Sequence, residues 1–184
     1  MKFTLHTKET APDASKPILD QTEKNYGFIP NIHGILGESP VALSAYAHIT
    51  DQLQENGALN AQEQQIAMLA VSETNGCDYC MAAHSVVAGM SKVPEETVNS
   101  LREGKEPPDP KQAALVRFIK AVLEHRGWVP EDAQQAFLDA GYTKRHVLDV
   151  LSVVSLKTLS NYTNHLAQTP LDAAFEGHRW SRKG

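Results

Sequence analysis

Residues 59–85 read LNAQEQQIAMLAVSETNGCDYCMAAHS and hold both cysteines of the chain, Cys77 and Cys80, with His84 four positions further on. Asn60 followed three residues later by Glu63 is a capping-box pattern, and it opens an apolar helix through Ile66, Leu69 and Ala70. Asn75-Gly76 is a turn signal, so that helix stops there and a second begins at Cys77, running to about Gly89. On the second helix, spacings of three and then four residues put Cys77, Cys80 and His84 on one face.

That face suggests thiol chemistry. A free thiol is mostly protonated at neutral pH, and an imidazole one turn from Cys80 either stabilises its thiolate as a cation or takes its proton. Cys77 sits in the first helical turn, where unpaired backbone N–H groups and the helix dipole favour an anion on sulfur. The two sulfurs can close a reversible disulfide, as a two-electron cycle requires. A bridge across so short a loop adds little stability through chain entropy. The alternative is zinc. Cys77, Cys80 and His84 supply three ligands, but a structural site normally takes four. His6, His33, His48, His125, His146, His165 and His178 show no ligand spacing, and each is expected on the surface or satisfied in the core. Redox chemistry is therefore favoured over a zinc-bound scaffold. Tyr79, between the cysteines, reads first as a packing aromatic.

Outward from this stretch, every long periodic segment reads as helix. Ser39-Pro40 opens one through Tyr46, Ile49 and Leu53 to Gly57. Pro94 begins a short helix ending near Gly104, Lys111 begins a buried one ending at Gly127, and Pro130 opens another through Phe137. Thr143 caps a long helix whose apolar positions are Val147, Leu148, Leu151, Val154 and Leu159, toward Leu166. No convincing strand is found, so the fold class is all-α. The 184 residues, 41% hydrophobic and 21% charged, suit one folded domain spanning 1–184. A formal charge of −5, with only a weak basic tail from Arg179 to Lys183, argues against a nucleic-acid partner. Neither a secretory signal nor a membrane-length apolar run is present, and a cytoplasmic location is expected. Val71-Ser72 with Tyr79 recurs as Val154-Ser155 with Tyr162, a weak echo that puts Ser160 and Thr163 where the first copy has cysteines.

The quoted stretch resembles the AhpD-like alkylhydroperoxidases of the carboxymuconolactone decarboxylase superfamily. Val71-Ser72, Asn75-Gly76, Cys77, Cys80 and His84 carry the likeness, with Gly27-Phe28-Ile29-Pro30-Asn31 and Ser39-Pro40 as its lead-in. The resemblance implies a helical subunit assembling into trimers or hexamers. It implies a thiol-dependent hydroperoxide reductase without a bound cofactor, with Cys80 peroxidatic, Cys77 resolving and His84 as base. Its partners would be a small hydroperoxide and a dithiol reductant protein, lipoyl or thioredoxin-like. A general thiol-disulfide oxidoreductase remains an alternative. One position departs from the pattern: peroxidase members place a relay glutamate twelve residues before the first cysteine, where this chain has Gln65. Glu63 then has two readings, as a replacement for that glutamate or as the capping-box residue alone.

Overall fold

The computed structural model describes residues 2–182, so Met1, Lys183 of the basic tail and Gly184 lie outside the described residues. Its helices are α1 (Lys16–Tyr26), α2 (Asn31–Leu36), α3 (Pro40–Asn56), α4 (Ala61–Thr74), α5 (Asp78–Met90), α6 (Glu95–Arg102), α7 (Pro110–Glu124), α8 (Glu131–Asp139) and α9 (Lys144–Ala167). A short 3₁₀ helix, Ala173–His178, follows, and no strand occurs among the described residues.

The boundaries follow their caps. Ser39 Oγ accepts from the Ala42 N–H at 3.3 Å. Asn60 and Glu63 exchange reciprocal bonds, each of 3.0 Å, at the start of α4. Asp109 caps α7 by accepting from the Gln112 N–H at 2.8 Å. Gly76, at φ +67°, supplies the left-handed turn between α4 and α5, where a side chain would be strained. Two helices go beyond the sequence expectation. Pro17 in the first turn of α1 and Gly27 at its left-handed C-cap mark a helix too short and polar to show clear periodicity. Pro30 then leads into the six-residue α2.

Helix α4 is the axis of the molecule. It is buried on every face from Glu63 to Ser72 and packs against α5, α6, α7 and α9. Around it lies the larger core, which includes a stack of Phe118, Phe137 and Tyr142 with ring separations of 4.2 and 4.3 Å. A smaller core gathers Leu19, Ile32, Leu36 and Leu43 of α1 to α3 around Cys77, Tyr79, Cys80 and Ala82, with Phe175 of the 3₁₀ helix closing it. Tyr46 packs against both cores. The cysteines are therefore set between the helical body and its N-terminal helices.

Helix α9 is rotated relative to the simplest apolar reading. Leu148, Leu151 and Leu166 of the expected stripe are 64%, 39% and 68% exposed. The face turned inward carries Val150, Val153 and Leu156, then Lys157, Ser160, Asn161 and Asn164, all buried. The last four recur at spacings of three, one and three, which form a polar stripe on one side of a helix.

Stability should depend on the aromatic stack rather than on exposed rings. Phe137→Ala is expected to lower the free energy of urea unfolding by about 3–5 kcal/mol through loss of transfer energy and a residual cavity. Trp128→Ala, at an 89% exposed position, is expected to change it by no more than about 0.5 kcal/mol.

Candidate active site

Cys77 is the N-cap of α5, with extended backbone at φ −91° and ψ 98°. Its N–H donates to Ser72 O and its C=O accepts from the Met81 N–H, both at 2.9 Å, so the Gly76 turn fixes where α5 starts. Cys80 lies one turn further along. Both cysteines are free thiols, at 0% and 2% exposure. The expected activation by solvent-facing helix ends is thus replaced by a buried arrangement.

The polar stripe of α9 faces these sulfurs. Asn164 Nδ2 donates to Cys80 Sγ at 3.2 Å and lies 3.7 Å from Cys77 Sγ. Ser160 Oγ is 4.0 Å from Cys80 Sγ. Burial alone would raise the Cys80 thiol. A hydrogen bond from Cys77, the charge and hydrogen bond of Lys157, and the Asn161 amide outweigh it and bring the thiol down to about 5. Cys77 moves the other way, held protonated by its bond to Cys80, by burial and by the neighbouring negative sulfur. The two shifts oppose each other, drawing negative charge toward Cys80 and the shared proton toward Cys77.

His84 serves a different purpose from the one its spacing suggests. Its Nε2 accepts from the Lys157 ammonium at 2.8 Å, and its Nδ1 lies 3.0 Å from Gln65 Oε1. With Nε2 accepting, Nδ1 must carry the ring proton and donate it to the amide oxygen. Burial first, and the ammonium second, hold the imidazole well below its ordinary range, so it is neutral. The expectation that His84 acts directly on the Cys80 sulfur is corrected: both its nitrogens are already engaged. Its helical spacing does bring it to the site, but there it orients Lys157.

Glu63 is placed elsewhere. Its carboxylate closes the capping box with Asn60 and pairs with Lys111 at 3.0 Å, while Gln65, two positions on, meets His84. The relay reading of Glu63 therefore finds no geometric support. A 100° rotation per residue separates the two positions on α4. Sequence reasoning missed Lys157, Ser160 and Asn164. A lysine within the apolar run Val153-Val154-Ser155-Leu156, followed by polar residues at helical spacing, was the available signal.

Tyr79 is more than a packing aromatic. Its hydroxyl donates to Asp172 Oδ2 at 2.5 Å and accepts from the Ile32 N–H at 3.4 Å. Asp172 also accepts from the Asn31 N–H at 3.2 Å, and the Tyr79 ring stands edge-on to Phe175. The C-terminal segment is thereby pinned across the start of α5. His33 also departs from expectation. It is buried between the Tyr26 and Tyr46 rings, its Nδ1 has no hydrogen-bond partner, and burial with the Lys157 charge pushes it down to about 4. A surface cavity of about 330 Å³ is lined by Gly76, Cys77, Asn164, Gln168 and Thr169. Cys77 lines the floor of that cavity while itself 0% exposed.

Among the described residues no group of three or more His, Cys, Asp or Glu side chains is placed to hold a metal ion. The cation beside His84 is the Lys157 ammonium, 2.8 Å from its Nε2.

Comparison with known proteins agrees with this architecture. Residues 40–127 match the carboxymuconolactone decarboxylase family model. No curated protein matches the sequence. A solved structure described as an alkylhydroperoxidase AhpD core, an uncharacterized peroxidase-related protein from Ralstonia eutropha JMP134, superposes with a TM-score of 0.84 at 21% identity, covering 95% of this chain and 93% of that one. An uncharacterized peroxidase-related protein from Silicibacter sp. TM1040 gives 0.80 at 17% identity, covering 97% and 94%. The debrominase Bmp8, in complex with 2,3,4-tribromopyrrole, gives 0.78 at 15% identity, covering 97% and 95%. The chain thus matches the carboxymuconolactone decarboxylase family model over residues 40–127 and shares its all-helical fold with the AhpD core structure.

Proposed function

We propose that the chain is a thiol-dependent hydroperoxide reductase in which Cys80 attacks the peroxide and Cys77 resolves the product. The observation that carries this reading is the pair of free, buried thiols one helical turn apart, with the Asn164 amide donating to Cys80 Sγ at 3.2 Å and the Cys80 thiol drawn below its ordinary range. A thiolate is the form that attacks an O–O bond, and the resulting sulfenic acid condenses with a neighbouring cysteine that gives up its proton as the bridge forms. In the first step the Cys80 sulfur takes the outer peroxide oxygen and an alcohol leaves. In the second, Cys77 sulfur displaces that oxygen as water and the disulfide forms. An external dithiol then returns two electrons and opens the bridge.

Burial favours a small oxidant. At 2% exposure Cys80 admits a hydroperoxide more readily than the disulfide of a protein. The cavity over Cys77, which is itself 0% exposed, gives a slender dithiol an approach to that sulfur, and the sulfur then expelled is Cys80, the better leaving group of the two. General thiol-disulfide exchange is the second reading, and the same cavity is its support. The reductant is a dithiol of the lipoyl or thioredoxin-like kind, and no bound cofactor takes part.

Self-association belongs to the same reading. Leu148, Leu151, Tyr162 and Leu166 form an exposed apolar stripe along α9, on the opposite side from the residues that serve the site. Assembly into a trimer or hexamer through this stripe would cover it.

Four outcomes are expected. Mass spectrometry of the peptide spanning both cysteines should show a disulfide after one equivalent of cumene hydroperoxide, and Cys77→Ser should instead accumulate a sulfenic acid on Cys80. Cys80→Ser should abolish peroxide loss, and peroxide loss that persists would remove the reading. Alkylation of Cys80 by iodoacetamide should rise with pH through about 5, as thiolate replaces thiol, and be flat at neutral pH. A rate that climbs instead toward the ordinary thiol range, near about 8.5, would show that the sulfur is not activated. Finally, Leu148→Glu combined with Leu166→Glu should shift the protein to monomers in sedimentation.

A further inference from the structure

Lys157 is 1% exposed, and among the described residues no carboxylate pairs with it. An ammonium so placed costs several kcal/mol unless an opposite charge or close acceptors meet it. Its neighbours come from three helices. From α5 these are His84, whose Nε2 is 2.8 Å away, together with Cys80 and Cys77, both of which feel its charge. From α2 it faces His33, neutral at physiological pH. From α3, Tyr46 lies near both sulfurs, its phenol kept protonated by burial and their negative charge. Gln65 of α4 reaches it only through His84. The acidic groups in this set that sit against the polar stripe carrying Lys157 are the two sulfurs, and Cys80 is the one that the stripe meets most closely, with Asn164 Nδ2 at 3.2 Å and Ser160 Oγ at 4.0 Å.

We propose that Lys157 is a catalytic residue, the counter-ion of the Cys80 thiolate and the donor of the proton that the leaving oxygen takes up when the O–O bond breaks. This rests on the hydroperoxide reductase reading above. A sulfur lone pair on Cys80 forms the S–O bond, the O–O bond breaks, and its electron pair departs on the alkoxide. The alkoxide takes a proton from Nζ and leaves as an alcohol, so sulfur has lost two electrons, the peroxide has gained them, and Lys157 is a neutral amine. When Cys77 attacks the sulfenic acid, its thiol proton passes to the Lys157 amine and from there to the departing hydroxide, which leaves as water. Charge balances throughout: thiolate and ammonium disappear together, leaving a disulfide and a neutral amine. His84, fixed by Gln65, is the positioning residue that aims Nζ.

The test uses Lys157→Met, which keeps the stem and removes the charge, and Lys157→Ala with added ethylamine as a replaceable head group. Circular dichroism confirms that each variant is helical. Two quantities are read: the pH midpoint of Cys80 thiolate formation, from ultraviolet absorbance and alkylation, and turnover of cumene hydroperoxide with dithiothreitol. In Lys157→Met the midpoint should rise by about one to three pH units, the usual effect of losing an adjacent opposite charge. Turnover should fall by about 10²–10⁴, the range of a lost proton donor, and ethylamine should restore part of it in Lys157→Ala. A purely structural lysine would move neither the midpoint nor respond to the amine. A wild type inert to hydroperoxide overturns the reductase reading and this proton-donor step together. An active wild type beside a Lys157→Met variant with unmoved midpoint and undiminished turnover overturns the role of Lys157 alone.

Discussion

A buried ammonium is the constraint around which the rest of this molecule is arranged. Lys157 lies in the interior without a carboxylate partner among the described residues, and burying an isolated charge is among the costliest steps in folding. Cys80 has the complementary problem, since burial disfavours a thiolate as strongly as it disfavours a cation. Each group removes the other's difficulty, and the surrounding donors and acceptors complete the solvation. Asn164 donates to the sulfur at 3.2 Å and His84 accepts from the ammonium at 2.8 Å. A charged pair so enclosed is sensitive to the loss of either member, because the survivor is left unpaired.

The fold supplies this geometry by crossing three helices. Helix α4 is buried on all sides, so the turn at Asn75-Gly76 that ends it is held rigidly, and α5 starts from a fixed point. Helix α9 crosses both with its polar stripe inward. That choice of phase leaves Leu148, Leu151 and Leu166 at the surface, an arrangement unfavourable for an isolated subunit and natural for one that associates. The same helix thus serves the thiols on one side and offers an apolar face on the other. The Tyr79–Asp172 bond ties the C-terminal segment to this crossing, so the Cys77 cavity is bounded by elements distant in sequence.

Much of the architecture was legible locally. Ser39 and Asn60 cap the helices their sequence positions announce, because a capping side chain needs only its own backbone neighbours. The grouping of Cys77, Cys80 and His84 on one face was legible for the same reason. What His84 binds was not, because Lys157 reaches it from 73 residues away, and no spacing within α5 encodes that. The phase of α9 was misjudged because apolar stripes exist on two sides of it, and leucines suggested the outer one. The short α1 and α2 escaped detection because too few turns exist to establish a period. Glu63 shows the reverse case: its capping role was readable from position alone, and its tertiary partner, Lys111, confirms that the side chain points away from the thiols.

The glutamine at position 65 becomes intelligible through charge counting. The resemblance to peroxidase members implies a glutamate there, relaying a proton through histidine to the thiol. A carboxylate would be an acceptor for the His84 Nδ1 proton and would draw the imidazole toward a cation. In this chain an ammonium, Lys157, already stands beside the imidazole, and a second cation there would be repelled. A neutral histidine that donates to one partner and accepts from the other is the arrangement compatible with an ammonium on its far side. An amide at position 65 satisfies the Nδ1 proton without adding charge, so the three groups carry the single positive charge that one thiolate requires. Gln65 and Lys157 are therefore parts of one arrangement in physical terms, although 92 positions separate them. Restoring a carboxylate at position 65 while keeping Lys157 would give the ammonium a second anion to serve and weaken its hold on the sulfur.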